Sequence, residues 1–194
     1  NYVGNIHCWG LNSSGQLGNG SLVSTASPVL VKSSVKYTQV SSGSSHTCAL
    51  SDMQDIWCWG DNSFGQTGQV GSSNVIAPSK VEASARYMYV TSGANHTCAL
   101  DTTYSAWCWG SNSKGQLGDN SRVNRNSPSV ISGSLLLKNL SSGLSQTCGI
   151  SQSDTLYCWG DPQGVIDGNS GVPSVVSTTS YLCGQDTTYN NISC

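Results

Sequence analysis

The sequence predicts an all-β protein, because its 194 residues consist of a repeat of about 50 residues that is rich in Gly, Ser, Thr and Asn. Those residues suit turns and short strands and disfavour long helices. Two cysteines mark the repeat, the first within Cys-Trp-Gly, at Cys8, Cys58, Cys108 and Cys158, and the second at Cys48, Cys98 and Cys148. A fixed period of this length is typical of stacked structural units.

Each unit contains the pattern of four short strands. Residues 37–40 alternate toward a glycine, and residues 46–50 follow as a second strand. A polar turn leads into residues 56–60, and a last strand is expected near residues 28–31 and their equivalents. Short strands punctuated by Gly and Pro indicate an all-β fold. Four strands in 40 to 50 residues are typical of a propeller blade.

We expect one domain, residues 1–194, with repeat units near 8–57, 58–107, 108–157 and 158–194. The fourth unit is degenerate, because residues 161–168 lack the Asn and the Gly-Gln pair of the other copies. The C-terminal residues 191–194, Asn-Ile-Ser-Cys, have the same form as residues 95–98, which precede a Cys-Trp-Gly strand. The sequence therefore predicts three complete blades and one blade split between the N- and C-termini.

One longer motif carries a resemblance to a known family. It reads Val-x-x-Gly-x-x-His-x-x-x-Leu, then Trp-Gly-x-Asn-x-x-Gly-Gln-Leu-Gly, then Pro, closely in residues 40–68 and 90–118 and loosely in residues 140–168. The motif resembles the chromosome-condensation-regulator repeat. That resemblance implies a propeller of four-stranded blades, usually seven. It implies no single function, because similar proteins include nuclear exchange factors, plant receptor-kinase ectodomains and bacterial β-lactamase inhibitors.

The cysteine spacing predicts disulfides across hairpins. Cysteines 10 residues apart flank the same polar turn in three units, which predicts the pairs Cys48–Cys58, Cys98–Cys108 and Cys148–Cys158. The split blade pairs Cys8 with Cys194 and leaves Cys183 as the odd thiol. Nine cysteines in so short a chain indicate an oxidising compartment.

Sequons and cysteines together indicate a secreted, extracellular glycoprotein. The candidate N-glycosylation sites are Asn12, Asn19, Asn95, Asn139 and Asn191. The chain has neither an initiator Met nor a signal-peptide pattern at Asn1, so we expect it to be processed or to be part of a longer protein.

One aromatic position in the repeat is a candidate ligand contact. Trp57, Trp107 and Tyr157 occupy it, and His7 replaces them in the first unit. A varying aromatic on a repeated scaffold suits binding, and it predicts that Trp57 and Trp107 are exposed. The tryptophan two residues later recurs in every unit, which is typical of core packing.

The sequence predicts neither a catalytic nor a metal nor a cofactor site. His46 and His96 share a position that Gln146 fills in the next unit, and Gln preserves a hydrogen bond but not imidazole chemistry. Aspartates are scattered singly, and we find no nucleophile, base and orienting residue at plausible spacing. We therefore expect that the protein is not an enzyme.

Charge and hydrophobicity exclude two further classes of partner. Eight Lys and Arg stand against ten Asp and Glu, a net charge of -2, so nucleic acid is not an expected ligand. No apolar run approaches the roughly 20 residues that a membrane-spanning helix requires.

We expect a structural or assembly protein that associates head to tail through the split blade, as a fibre or surface-coat subunit. Open blade ends expose strand edges that must be covered. Head-to-tail contacts between subunits give filaments unless the subunits close into a ring. A closed four-bladed ring and a fragment of a longer seven-bladed protein remain alternatives for the ends. The alternative function is a lectin-like or inhibitor-like module that uses loops on one face. The expected partners are a second copy, another extracellular protein or a glycan.

Overall fold

A computed structural model describes residues 4–161 together with residues 175–177, 182–186 and 191–193. The described part is all-β, with antiparallel neighbours throughout, as predicted. Its strands are β1 (His7–Gly10), β2 (Thr25–Leu30), β3 (Tyr37–Ser42), β4 (His46–Ser51), β5 (Ile56–Gly60), β6 (Val75–Lys80), β7 (Tyr87–Ser92), β8 (His96–Asp101), β9 (Ala106–Gly110), β10 (Arg125–Val130), β11 (Leu137–Ser142), β12 (Gln146–Ser151), β13 (Leu156–Gly160), β14 (Val175–Ser177), β15 (Leu182–Asp186) and β16 (Asn191–Ser193).

Consecutive strands form the four-stranded blades that the repeat predicts. Blade 1 is the sheet β3-β4-β5-β6, and blade 2 is the sheet β7-β8-β9-β10. Blade 3 contains β11-β12-β13, and the segment after β13, residues 162–174, lies outside the described residues. The first strands of successive blades contact one another, since β3 contacts β7 and β7 contacts β11. The blades therefore stand side by side in chain order.

The two ends of the chain form two smaller sheets. The N-terminal pair, β1-β2, corresponds to the third and fourth strands of a blade. The C-terminal sheet has the order β14-β15-β16, and β14 contacts β11 and β12 of blade 3. The strands assigned to the split blade thus lie in two separate hydrogen-bonded sheets within one chain.

The core lies between blades rather than within one. Val90 and Trp109 of blade 2 are fully buried in a cluster with Leu50 and Ile56 of blade 1. The interface of blades 2 and 3 repeats this arrangement, with Leu140 among Leu100 and other residues of blade 2. Because a strand alternates its two faces, blade 2 buries one face against blade 1 and the other against blade 3.

Tight turns at the strand ends require glycine. Gly60 has a φ of +103°, and a Cβ there would lie 2.4 Å from the carbonyl oxygen of Ser45. An L-residue would meet both backbone strain and a clash. The Cys-Trp-Gly pattern is therefore the end of one strand followed by an obligatory turn.

Candidate interaction site

Disulfides hold the second and third strands of the blades together. The antiparallel register places Cys48 directly opposite Cys58, and the same register recurs in blades 2 and 3. The structure contains the bonds Cys48–Cys58, Cys98–Cys108 and Cys148–Cys158, each with its Cα atoms 4.1 Å apart. Cys8 has no disulfide partner among the described cysteines, and Cys194 lies outside the described residues. The predicted Cys8–Cys194 bond therefore stays a prediction.

A glutamine carbonyl joins each blade to the next. The backbone carbonyl oxygen of Gln66 accepts hydrogen bonds from Trp109 Nε1 (3.0 Å) and Thr97 Oγ1 (2.9 Å). Gln16 and Gln116 accept the equivalent pairs of bonds at the other two interfaces. The recurring Trp is thus both buried packing and a hydrogen-bond donor between units. Sequence reasoning missed the threonine, although its 50-residue period is visible in the printed sequence.

An asparagine side chain holds the loop that presents this carbonyl. Asn62 Oδ1 accepts the backbone N–H of Thr67, and its Nδ2 donates to the carbonyl oxygens of Gln69 and Gly71. The side chain is fully buried, as is the equivalent Asn12. The Asn-x-x-Gly-Gln motif is therefore a loop that the fold uses to connect blades.

Buried histidines complete the same network. His46 Nε2 lies 3.0 Å from Thr97 Oγ1, and His96 Nε2 lies 2.9 Å from Thr147 Oγ1. Each threonine hydroxyl donates its one proton to a glutamine backbone carbonyl. The hydroxyl must therefore accept from the histidine, so the histidine Nε2 carries a proton. Burial lowers the pKa of His46 to about 4 and that of His96 to about 3. Both imidazoles are therefore neutral structural donors at physiological pH.

The face of blade 1 that points toward the N-terminal pair differs from its equivalents. Val40 is 47% exposed, whereas Val90 and Leu140 at the same position are fully buried. In the N-terminal pair itself, Trp9 of β1 is 61% exposed, whereas Trp59 of blade 1 and Trp109 of blade 2, at the same repeat position, are fully buried. The N-terminal pair covers only part of this face, because it packs Ile6 and Cys8 against the cluster of Ala49 and Trp59.

The uncovered part of that face is a cleft of about 340 Å³. Its lining includes Cys8, Trp9, Val40, Ser42, His46 and Thr47. One wall is β1, whose only hydrogen-bonded neighbour among the described strands is β2. The other wall is β3 and β4 of blade 1. Burial raises the pKa of the Cys8 thiol, so this cysteine is neutral at physiological pH. We name this feature the N-terminal cleft.

The aromatic position differs from its prediction. Trp57 and Trp107 are half-buried rather than largely exposed, so the expectation of exposure is wrong for both. Trp57 packs against the cluster at blade 1, and Trp107 against the cluster between blades 1 and 2. The Trp107 indole N–H also donates to Asp101 (2.8 Å). Tyr157 is 41% exposed and is more exposed than Trp57 and Trp107.

The sequons differ in accessibility. Asn12 is fully buried, and its Nδ2 donates to the carbonyl oxygens of Ser21 and Val23, which leaves no room for a glycan. Asn19 and Asn95 are half-buried. Asn139 Oδ1 is buried. Asn191 lies in β16, of which only the backbone is described. Asn12 is therefore removed as a glycan candidate by its role in the inter-blade loop.

Several electrostatic features serve the fold. Asp55 forms ion pairs with Lys80 (3.0 Å) and with Arg86. For Asp101, burial favours a higher pKa, but hydrogen bonds led by that of Thr103 outweigh it and lower the pKa.

The described residues contain no group of three or more His, Cys, Asp or Glu arranged to hold a metal ion. No described segment forms a helix long and apolar enough to cross a membrane.

Solved structures share this fold at low sequence identity. Human WBSCR16 aligns with a TM-score of 0.81 and 17% identity over 95% of this chain and 55% of its own. Prp20p of Saccharomyces cerevisiae, described with its binding to Gsp1p and histones, aligns with a TM-score of 0.81 and 19% identity over 97% of this chain and 52% of its own. The ectodomain of the Arabidopsis thaliana receptor kinase ACR4 aligns with a TM-score of 0.60 and 20% identity over 85% and 51%. The chain thus spans about half the length of these structures.

Sequence comparison identifies the repeat itself. No curated protein matches the chain with significance. The Regulator of chromosome condensation (RCC1) repeat matches residues 3–50, 55–100 and 105–148, and a second form of the same repeat matches residues 37–66 and 89–116. The matches to the first form cover most of the chain, and each spans the third and fourth strands of one blade together with the first two strands of the next. The chain belongs to the RCC1 repeat family of β-propellers.

Proposed function

We propose that this protein is a non-enzymatic, extracellular assembly module whose copies associate head to tail. The observation that supports the proposal is the N-terminal cleft. The face that blades 2 and 3 bury against a preceding blade is left half-open on blade 1, where Val40 is 47% exposed. Exposed apolar surface beside an open strand edge is typical of an interaction site.

The three disulfides are compatible with an oxidising, extracellular environment. The low charge agrees with a role in protein association rather than in binding polyanions. Both features suit a secreted subunit, for which Asn19, Asn95, Asn139 and Asn191 remain the candidate glycosylation sites.

Sedimentation of the purified 194-residue chain over a range of concentrations tests the proposal. We expect a concentration-dependent shift to species larger than one chain, under conditions that keep the three disulfides intact. A single species of one chain mass at all concentrations would contradict self-association.

A second candidate is binding of another extracellular protein through loops on the rim. Apolar side chains are exposed in the loops between the third and fourth strands of successive units, at Leu22, Val23, Val70 and Val123, with exposures between 53% and 96%. Exposed loops on a rigid scaffold are suited to binding. Replacing Val23 and Val123 with Ser should weaken capture of such a partner and leave self-association unchanged. Equal weakening of both would tie these loops to the assembly instead.

A further inference from the structure

The loop between β1 and β2 carries a sequon on its surface. The triplet is Asn19-Gly20-Ser21, and all three of its residues are half-buried. Leu22 and Val23, which follow the triplet, are 53% and 73% exposed. The whole sequon therefore lies in a loop that runs along the protein surface.

The hydrogen bonds of Asn19 fix the direction of its side-chain amide. The backbone N–H of Ser21 lies 3.1 Å from the Asn19 side-chain oxygen, and Asn12 Nδ2 lies 3.3 Å from the same oxygen. A backbone N–H can only donate, so the atom that faces Ser21 is the acceptor Oδ1. Asn19 Nδ2 therefore points away from both partners. It donates to no described residue, and it is not enclosed.

The equivalent loop of blade 2, between β9 and β10, shows what lies in that direction. Asp119 takes the place of Asn19, and its Oδ1 accepts from Asn112 Nδ2 and from the backbone N–H of Ser121, both at 3.0 Å. The other oxygen, Oδ2, corresponds to Asn19 Nδ2 and accepts from Arg125 Nε (3.0 Å). The Arg125 side chain is 44% exposed. A group beside this atom therefore reaches solvent.

The loop of the N-terminal pair leaves the same space free. Thr25 stands at the position of Arg125, and its short side chain bonds within its own strand. Asn19 shares its half-buried state with Gln69 of blade 1 and Asp119 of blade 2, which are the equivalent residues. Because blade 2 packs between two other blades, the exposure of this position comes from its place in the loop.

Two other sequons of the described residues lie closer to packed cores. Asn95 is followed by the fully buried His96. Asn139 has an enclosed Oδ1 and is followed by the fully buried Leu140. Asn19 differs from both, because its neighbours in the sequon are partly exposed and its attachment atom faces outward.

We propose that Asn19 carries an N-linked glycan, an inference that rests on the extracellular part of the proposed function. Asn19 Nδ2 forms a bond to C1 of the N-acetylglucosamine at the end of a lipid-diphosphate-linked oligosaccharide, and the amide loses one proton. The bond between C1 and the diphosphate oxygen breaks, and the lipid diphosphate leaves. Since Asn12 and Ser21 bond only to Oδ1, the loop keeps its hydrogen bonds when Nδ2 is substituted.

Glycan mapping tests the assignment. The 194-residue chain is expressed behind a signal peptide in mammalian cells, and protein from cells and medium is treated with an N-glycan amidase in heavy-oxygen water. This treatment converts each glycosylated Asn to heavy Asp, which peptide mass spectrometry locates. We expect the label at Asn19 and not at the buried Asn12. A bare Asn19, or label at Asn12 in folded protein, would overturn the assignment.

Matched variants separate the loop geometry from the sequence motif. Asn19→Asp introduces the residue of blade 2, which keeps the Oδ1 acceptor and removes the attachment atom, so the glycan mass should be lost. Asp119→Asn combined with Arg125→Thr gives blade 2 the sequon and the surroundings of Asn19. This double variant should gain a second glycan at position 119, and a bare position 119 would refute the geometric argument. Near-ultraviolet circular dichroism checks that each variant is folded.

The glycan and the self-association have separate readouts. Sedimentation measures assembly, and mass spectrometry measures the glycan, both on the wild type and on Asn19→Asp. If Asn19 is glycosylated and the chain stays monomeric, self-association is wrong and the glycosylation site stands. If the chain self-associates and Asn19 is bare, the glycosylation site is wrong and self-association stands.

Discussion

At the scale of single residues, the two buried histidines show how a repeat replaces one donor with another. His46 and His96 each donate Nε2–H to a threonine of the next blade, and Gln146 stands in the same position of blade 3. An uncharged amide and a neutral imidazole can each donate one hydrogen bond without carrying charge. The two differ in one respect, because only the imidazole can take up a proton.

That difference predicts acid sensitivity. The folded protein holds the pKa of His46 near 4 and that of His96 near 3, below the ordinary value of 6.5. The unfolded chain therefore binds more protons, and stability is lost as the pH falls from 6.5 toward 4. Each imidazole contributes a slope of up to about 1.4 kcal/mol per pH unit. We expect the double variant His46→Gln, His96→Gln to flatten the dependence of the free energy of unfolding on pH.

Urea unfolding at a series of pH values measures this slope. His7→Gln is the control, because His7 is exposed. An unchanged slope in the double variant would assign the acid sensitivity to the carboxylates.

The threonine that receives the histidine bond predicts a graded effect on stability. Thr97→Val removes a hydroxyl that accepts from His46 and donates to Gln66, and it leaves a buried N–H unpaired. We expect a loss of about 2 kcal/mol in the free energy of unfolding. Thr47→Val is the matched control, because the Thr47 hydroxyl is bonded to the Gln16 backbone carbonyl and to no other described residue. Its loss should be about 1 kcal/mol, and equal losses would show that the histidine bond contributes nothing.

At the scale of elements, each hairpin combines a fixed register with a covalent link. Cys98 and Cys108 stand opposite each other across β8 and β9, and both are fully buried. The disulfide closes the short loop between them and so limits the conformations of the unfolded chain. The effect on stability is therefore modest for each bond and is repeated along the chain.

Removal of one such bond measures this contribution. We expect the double variant Cys98→Ala, Cys108→Ala to lose roughly 2 to 3 kcal/mol in the free energy of unfolding. Denaturant unfolding with the other two disulfides oxidised is the measurement. The double variant Cys148→Ala, Cys158→Ala is the comparison, because Cys158 is only half-buried and its removal leaves a smaller cavity. A larger loss in blade 3 than in blade 2 would contradict this account.

At the scale of the whole molecule, the balance of charge separates this chain from polyanion binders. The net charge is -2, and several of the eight basic residues are paired, among them Lys80 and Arg86 with Asp55. We expect no salt-dependent binding of double-stranded DNA at micromolar protein in low salt. Fluorescence anisotropy of a labelled duplex is the measurement, with a basic DNA-binding protein as the positive control. A rise in anisotropy that high salt reverses would refute the expectation.

The sequence by itself determined the blade, because its information is periodic and local. The 50-residue spacing, the turn glycines and the 10-residue cysteine separation predict antiparallel strands whose register makes Cys48 face Cys58. Such features depend on residues close in the chain. A hairpin register follows from its turn and from the alternation of side chains.

Only the tertiary structure decided what depends on a neighbouring blade. It placed Val40 in an open cleft and Val90 in a core, although both stand in the same motif. It also buried Asn12, which reads as a sequon, and half-buried Trp57, which reads as a surface aromatic. Identical repeat positions acquire different environments because a blade buries its faces against the units beside it. Whether a residue is exposed therefore depends on the neighbouring blades as well as on its own repeat.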